Sequence, residues 1–330
     1  MDTATSFLGF RLPHPFIAGA SPLGFHLDTI KRLEDGGCAA LVLPSLFEEQ
    51  ITFARTGHIH QRDALGAEWA AWLAPFPGAD DYALTPDDYA AHIARVKQSV
   101  AVPVIASLNG STGQSWLTFA RIVEQAGADA LELNLYQVVT DLSVQGNAVE
   151  HELAGAVREL KRVLKIPIAV KVSPFFAAFG NVARQLDRAG ADAIVLFNRF
   201  YQPDIDTATL KATLRVELSS SAELLVRLRW LAILHGRVRP NLVVTGGIAA
   251  PDDGIKALLA GADTVQMVSA ILTQGPGYFT VMREALERWM EHHRFNRLTE
   301  MRGLLSLKQV VDPGAFERAN YIRTLQSWGG

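Results

Sequence analysis

The sequence predicts an α/β fold, a closed (β/α)8 TIM barrel, and three observations carry that prediction. The 330-residue chain repeats itself. GGCAALVLP from Gly36, AGADALELN from Ala126, AGADAIVLFN from Ala189 and AGADTVQM from Ala260 each read as a helix end, a glycine turn and a buried strand. A second set alternates with the first: AVPVIASLNG from Ala101, KIPIAVKVSP from Lys165 and PNLVVTGG from Pro240. Each has a proline at or just before a β-branched run, where a missing N–H costs least. The spacing is the third observation. Pro103 and Pro167 stand 64 positions apart and Gly127 and Gly190 stand 63 apart, the size of two βα units.

Each element follows from these features. A glycine after a helix takes the left-handed conformation that closes it. The apolar run of about five residues that follows has strand length, not helix length. With HPFIAGAS near the start, eight strands are predicted, at about 16–19, 40–43, 102–107, 130–134, 167–172, 192–197, 241–245 and 263–267. Helical patterns lie between them, as from Ser115 to Gly127, Ala156 to Leu164 and Pro251 to Gly261. The strands lack in–out polar alternation, so both faces are buried, as in a parallel sheet covered by helices. A doubly wound open sheet is the alternative. It would want a glycine-rich dinucleotide loop after the first strand, and GASPLG matches that pattern poorly. Long insertions follow strand two (45–85) and strand six (198–220), and both leave from the face where barrel sites sit. The tail from Glu291 to Gly330 reads as two amphipathic helices packing outside the barrel. One domain is expected, with the barrel over about 14–290 and a helical extension over 291–330.

Composition excludes several classes of function. The net charge is −3, and no block of five like charges occurs, so a nucleic-acid footprint is not expected. One cysteine, Cys38, allows no internal disulfide, thiolate zinc site or iron–sulfur cluster built by this chain alone. No apolar run reaches the roughly 18 residues of a membrane span. The start, MDTATSFLGF, lacks the pattern of a signal peptide, and a cytoplasmic protein is expected.

Polar residues at the carboxyl ends of barrel strands converge on one pocket. Here they are Ala20-Ser21, Ser45, Ser107 and Asn109, Asn134, Lys171 and Ser173, Asn198, Thr245-Gly246-Gly247 and Ser269. Each has a plain structural reading: an asparagine ties a turn, a lysine closes an ion pair, a Gly-Gly makes a tight bend. Together they point further. TGGI after strand seven and Ser269 after strand eight occupy the two places where barrels hold a phosphate on backbone N–H groups. The helix from Pro251 would point its positive end inward. A phosphate clamp, a buried lysine and several amides suit an FMN-sized ligand, whose reduced ring needs a cation near its N1 edge. Ser45 and Ser107 fall on the cofactor side of this ring and Asn109 on the substrate side.

At these residues the chain resembles the class 1 dihydroorotate dehydrogenase family, FMN-dependent barrels of pyrimidine metabolism. The likeness runs from about Leu8 to Phe279, through HPFIAGAS, ADALELNL, PIAVKVSP, ADAIVLFN and the stretch from VVTGGIAAPDDG to GPG. The resemblance implies that Ala20 and Ser21 contact the flavin and that Asn134 bonds near flavin or substrate. It implies that Lys171 sits at the flavin N1 edge, with Phe197 beside the ring and Asn198 facing the substrate. Gly246, Gly247 and Ser269 would hold the phosphate. It also implies a homodimer and a separate electron-transfer partner.

The chain departs from the pattern of that family at the substrate. Where the family carries Ser-Cys-Pro-Asn or Ser-Ser-Pro-Asn, this chain has Tyr136-Gln137-Val138-Val139. The position of the base is Gln137, and an amide takes no proton at neutral pH. The second-strand lysine of the family is Pro44, its asparagine loop is not visible in 45–85, and its Gly-Thr at the phosphate is Val268-Ser269. Tyr136 and Glu49 are the substitute bases to consider, with Glu48, His58 and His60 on the same insertion. Three readings follow. The first is an FMN oxidoreductase acting on CH–CH groups of a small planar substrate that need not be dihydroorotate. The second is an FMN-binding protein without turnover. The third is a lyase or isomerase that uses Lys171 as a Schiff base on a phosphorylated metabolite.

Overall fold

The computed structural model describes residues 1–56, 84–110, 113–135, 137–199, 204–213 and 217–327. In chain order the strands are β1 (Thr5–Phe7), β2 (Phe10–Leu12), β3 (Phe16–Ala18), β4 (Leu41–Phe47), β5 (Val104–Gly110) and β6 (Ala130–Leu135). They continue with β7 (Ile168–Val172), β8 (Ala193–Leu196), β9 (Asp204–Asp206), β10 (Lys211–Thr213), β11 (Asn241–Thr245) and β12 (Thr264–Met267). The helices are α1 (Leu27–Asp35), α2 (Glu48–Thr56), α3 (Pro86–Ser99), α4 (Gly113–Gln125), α5 (Gly146–Val163) and α6 (Phe179–Ala189). They continue with α7 (Leu224–Leu234), α8 (Pro251–Ala260), α9 (Ser269–Gln274), α10 (Tyr278–His292), α11 (Leu298–Met301) and α12 (Pro313–Gln326). No described helix is long and apolar enough to cross a membrane.

Eight strands close a parallel barrel in the order β3-β4-β5-β6-β7-β8-β11-β12, with β12 pairing back to β3. These are the eight predicted strands, with ends that coincide or shift by up to four residues. The repeated corner explains why the sequence rhymes. Gly37, Gly127, Gly190 and Gly261 all have φ between +91° and +119°, a region that favours glycine. The aspartate two residues after the last three of these glycines reaches sideways. Asp129 accepts from Val104 N, Asp192 from Ile168 N and Asp263 from Leu242 N, each at 2.7 Å. Each carboxylate also holds a cation, from Lys97, Lys161 or Arg302 respectively. The AGAD repeat is thus a clip that ties one strand start to the strand before it in the chain.

Two apolar bodies result. One fills the space between strands and helices, with Phe179 edge-on to both Phe197 and Trp230. The other lies inside the barrel, where Ile17, Val42, Ile105, Ala130, Ala169 and Val243 pack together. Phe7, Leu8 and Leu12 of the β1–β2 hairpin close its amino-terminal end. That hairpin has no counterpart among the predicted strands, nor does the β9–β10 hairpin in the insertion after β8.

The tail departs from expectation. α10 runs to His292, α11 has only four residues, and α12 buries none of its residues. Its described ion pair to the barrel is Arg229–Glu317 at 2.9 Å. Phe316, Tyr321, Ile322 and Leu325 stay exposed, so a second helix packed by its apolar side is not what forms.

Candidate active site at the carboxyl mouth of the barrel

The barrel interior turns polar above its apolar floor. Glu132 on β6, Lys171 on β7 and Gln266 on β12 are buried together. Lys171 Nζ donates to Glu132 Oε1 at 3.4 Å, and Gln266 Nε2 donates to Glu132 Oε2 at 2.7 Å. Glu132 is 1% exposed. A carboxylate taken that far from water costs several kcal/mol unless it is paired and hydrogen-bonded, and here it is both. An ammonium has three donors, and among the described residues Nζ has this one partner. Gln266 Oε1 is buried with no described partner.

One layer higher, Asn134 pairs with Lys171 across the β6–β7 ladder and with Asn109 across β5–β6. Asn198 Nδ2 donates to Asn134 Oδ1 at 2.9 Å, which fixes the amide at the end of LELN. Ser45 and Ser107 share a 2.7 Å hydrogen bond. Tyr89 beneath them accepts from Ser107 N at 2.9 Å and donates to Ser107 O at 3.2 Å. Ala20 and Ser21 follow β3 and lead into a 3-10 turn at Pro22–Phe25.

The opposite side is built from glycines. Gly246 and Gly247 have φ of +77° and +79°. A methyl on Gly247 would lie 2.5 Å from Leu224 N, and one on Gly246 would lie 2.7 Å from an Arg227 guanidinium nitrogen. Arg227 is itself buried and donates to the carbonyls of Thr245, Glu223 and Phe197. Burial holds its guanidinium below the ordinary value, partly offset by the Glu223 charge. Ser269 Oγ accepts from Ser219 N at 3.0 Å and shares a 3.0 Å hydrogen bond with Ser219 Oγ. The insertion after β8 is thereby tied to the start of α9.

At the start of α8, Asp253 Oδ2 accepts from Ala249 N, Ala250 N and Ser221 Oγ, so the helix carries its own carboxylate at its amino-terminal end. The Phe197 ring is wholly buried against Phe179 on α6, which leaves its backbone as the part that follows β8 to the mouth.

The rim over β4 to β7 is different in kind. An apolar cavity of about 1280 Å³ opens between α4, α5 and the loops after β6 and β7. Trp116, Leu135, Val138, Val139, Leu153 and Phe176 line it, with Gln137 among them. The charged groups on the described lining are all acidic: Asp141, Glu150, Glu152 and Glu159. Pro44, which replaces a lysine of the resembled family, packs tightly on Gly24, where a methyl would lie 2.6 Å from its Cδ. Glu48 is buried, and a methyl on Gly110 would lie 2.8 Å from its Oε2. Burial pushes the Glu49 carboxyl above its ordinary value; its own backbone N–H pulls the other way, and the Glu48 charge adds to the rise. Tyr136, His58 and His60 lie outside the described residues. Cys38 is core, and burial pushes its thiol up to about 12.

Sequence reasoning missed Glu132, Gln266 and Arg227. Glu132 carried one signal, a charge at an inward position of a strand otherwise apolar. Arg227, inside LLVRLRWLAIL, carried none.

A closed parallel barrel whose carboxyl mouth gathers a buried lysine, paired amides and two positive-φ glycines is the frame of a (β/α)8 enzyme. The chain belongs to the dihydroorotate dehydrogenase family, whose profile matches residues 78–290. Enzymes of this family are FMN oxidoreductases acting on CH–CH groups. The chain is 26% identical to the dihydroorotate dehydrogenase B (NAD(+)) catalytic subunit of Thermoplasma acidophilum, over 92% of this chain and 98% of that one. It is 26% identical to a putative dihydroorotate dehydrogenase A (fumarate) of Aeropyrum pernix, over 92% and 97%. It is 25% identical to the NAD-dependent dihydropyrimidine dehydrogenase subunit PreA of Escherichia coli K12, over 92% and 76%.

Proposed function

We propose that this chain binds FMN at the carboxyl mouth and oxidises or reduces a CH–CH bond of a small planar substrate other than dihydroorotate. FMN, when bound, supplies the hydride chemistry. The single observation that carries the cofactor assignment is the Gly246–Gly247 cradle, in which both residues have positive φ and a Cβ would strike the Arg227 guanidinium at the first and the Leu224 backbone at the second. Such a cradle lets main-chain N–H groups approach a phosphate. The rest of the mouth fits the same ligand. Lys171 offers donors and a positive charge to the ring edge, and Asn134 and Asn198 offer a fixed amide pair. Ser45, Ser107, Ala20 and Ser21 are assigned to the cofactor side and Asn109 to the substrate side.

The substrate assignment rests on the opposite rim. Dihydroorotate is an anion, and the described cavity lining is apolar with acidic residues only. Like charges oppose its entry. Gln137 cannot act as a base, and Pro44 removes a cation. A neutral or cationic, more apolar planar compound suits this rim. Glu49 is the described candidate for proton transfer, since burial and Glu48 favour its protonated form. A second reading, an FMN protein without turnover, is favoured by that same loss at Gln137. The reading also includes a homodimer, a cytoplasmic setting and a separate polypeptide that exchanges electrons with the flavin. The names of two relatives as subunits support the last of these.

Titration of the purified chain with FMN, followed by quenching of flavin fluorescence, tests the cofactor assignment. Saturable one-to-one binding that Gly247→Ala abolishes is the expected result. Equal binding by both proteins would remove the cradle from the account.

A further inference from the structure

We infer that Glu132 is a positioning residue that sets the charge Lys171 presents to the flavin, an inference that rests on the FMN reading above. Three side chains from three strands carry it. Glu132 lies two residues before Asn134, which pairs with Lys171 in the β6–β7 ladder, so the carboxylate sits one layer beneath the lysine. Its Oε1 holds Nζ at 3.4 Å, and Gln266 holds Oε2 at 2.7 Å from the far wall of the barrel. Glu132 is 1% exposed and the Lys171 side chain 10%, so water screens this pair little. A positive charge at the ring edge favours reduced, anionic flavin over the oxidised neutral ring. A carboxylate 3.4 Å behind that charge offsets part of its field. The pair therefore works as a fixed dipole with its positive end toward the mouth, and Gln266 prevents the carboxylate from rotating away.

The arrangement also predicts which substitution leaves the shape intact. Glu132→Gln keeps an acceptor for Nζ. With the Gln266 amide turned over, the new amide nitrogen can donate to Gln266 Oε1, in place of the present Gln266 Nε2 to Glu132 Oε2 bond. The side-chain shape and one hydrogen bond to Gln266 are kept, and the negative charge is lost.

The test is the midpoint potential of bound FMN, measured by dye-linked reduction in the wild type, Glu132→Gln, Lys171→Gln and the double variant. Glu132→Gln is expected to favour reduced over oxidised flavin by about tenfold, a rise of about 30 mV for a two-electron couple. Lys171→Gln is expected to move the potential the other way. The double variant leaves no lone buried charge and so guards against failure of Glu132→Gln to fold. Its potential should lie above that of Lys171→Gln, because the same carboxylate is removed. Glu132→Gln at the wild-type potential or below it would overturn the inference. So would a double variant equal to Lys171→Gln. A wild type that takes up no FMN would sink the FMN reading and this inference with it. A flavin-loaded wild type with an unresponsive Glu132→Gln would sink the inference alone.

Discussion

The carboxyl mouth of this barrel has two unlike sides. Under β11 and β12 the surface is made of backbone, positive-φ glycines and a buried arginine that braces three carbonyls. Over β5 to β7 it is made of side chains from α4, α5 and the loops after β6 and β7, around an open apolar cavity. A contact built from backbone tolerates little substitution, because a Cβ on Gly247 meets main chain and one on Gly246 meets the buried Arg227 guanidinium. A contact built from loop side chains can be exchanged residue by residue without disturbing the frame. The departures of the sequence from the resembled family pattern, at Tyr136-Gln137-Val138-Val139 and Pro44, concentrate on that second side and on β4 beside it.

This contrast can be broken or sharpened by substitution. The largest effect is expected at Gly247→Ala, where φ is +79° and a methyl would lie 2.5 Å from Leu224 N. Backbone strain and overpacking together cost roughly 2–6 kcal/mol. Both a fall in melting temperature and loss of FMN binding should follow, and a variant with unaltered binding would break the contrast. Lys171→Met comes next. It leaves Glu132 buried without its cation, at a cost of about 3–5 kcal/mol in urea unfolding. A loss under about 1 kcal/mol would mean that the triad matters little to the frame.

The amino-terminal end provides a comparison of medium size. His14 is buried, and burial lowers its imidazole to about 4, with the Gly37 carbonyl opposing and Arg283 assisting. The folded value lies below the ordinary 6.5, so the unfolded chain binds the extra proton first. Stability from this group is full above about pH 6.5 and is lost as pH falls through about 4. The full contribution is on the order of 3 kcal/mol. His14→Gln should flatten the acid limb of the stability profile, and an unchanged limb would assign it to other groups. The smallest effect is expected at Gln137→Ala on the exposed rim. Stability should change by less than about 0.5 kcal/mol. Flavin reduction by any accepted substrate should stay within about twofold, as assayed by anaerobic stopped flow, because an amide supplies no base.

Much of the frame was legible because its signals are local. The glycine closing each helix and the apolar run after it lie within ten residues, so the two alternating sets show seven barrel strands and HPFIAGAS adds the eighth. The Asp of that repeat was legible as a pattern but not as a clip, since its bonds cross to another strand. The interior triad was only one-third legible. Lys171 stood out in IAVKV, but Glu132 is 39 residues away and Gln266 lies 134 from Glu132. Barrel closure and register, which local patterns do not encode, bring them together. The same holds for Pro44 on Gly24 and for Arg227 beneath Gly246. The tail misled for another reason. The apolar residues of α12 do not gather on one side, with Phe316 opposite Leu325 around the helix, and none of the helix is buried.

The most direct test of a retained cofactor side and a rebuilt substrate side is one anaerobic titration. The purified chain is loaded with FMN, its 350–500 nm spectrum is recorded, and dihydroorotate is added without oxygen. The account predicts a bound flavin that dihydroorotate leaves oxidised, while dithionite bleaches it. Bleaching by dihydroorotate would contradict the account, because it would mean that the family half-reaction runs without its base at Gln137 and without a cation at Pro44.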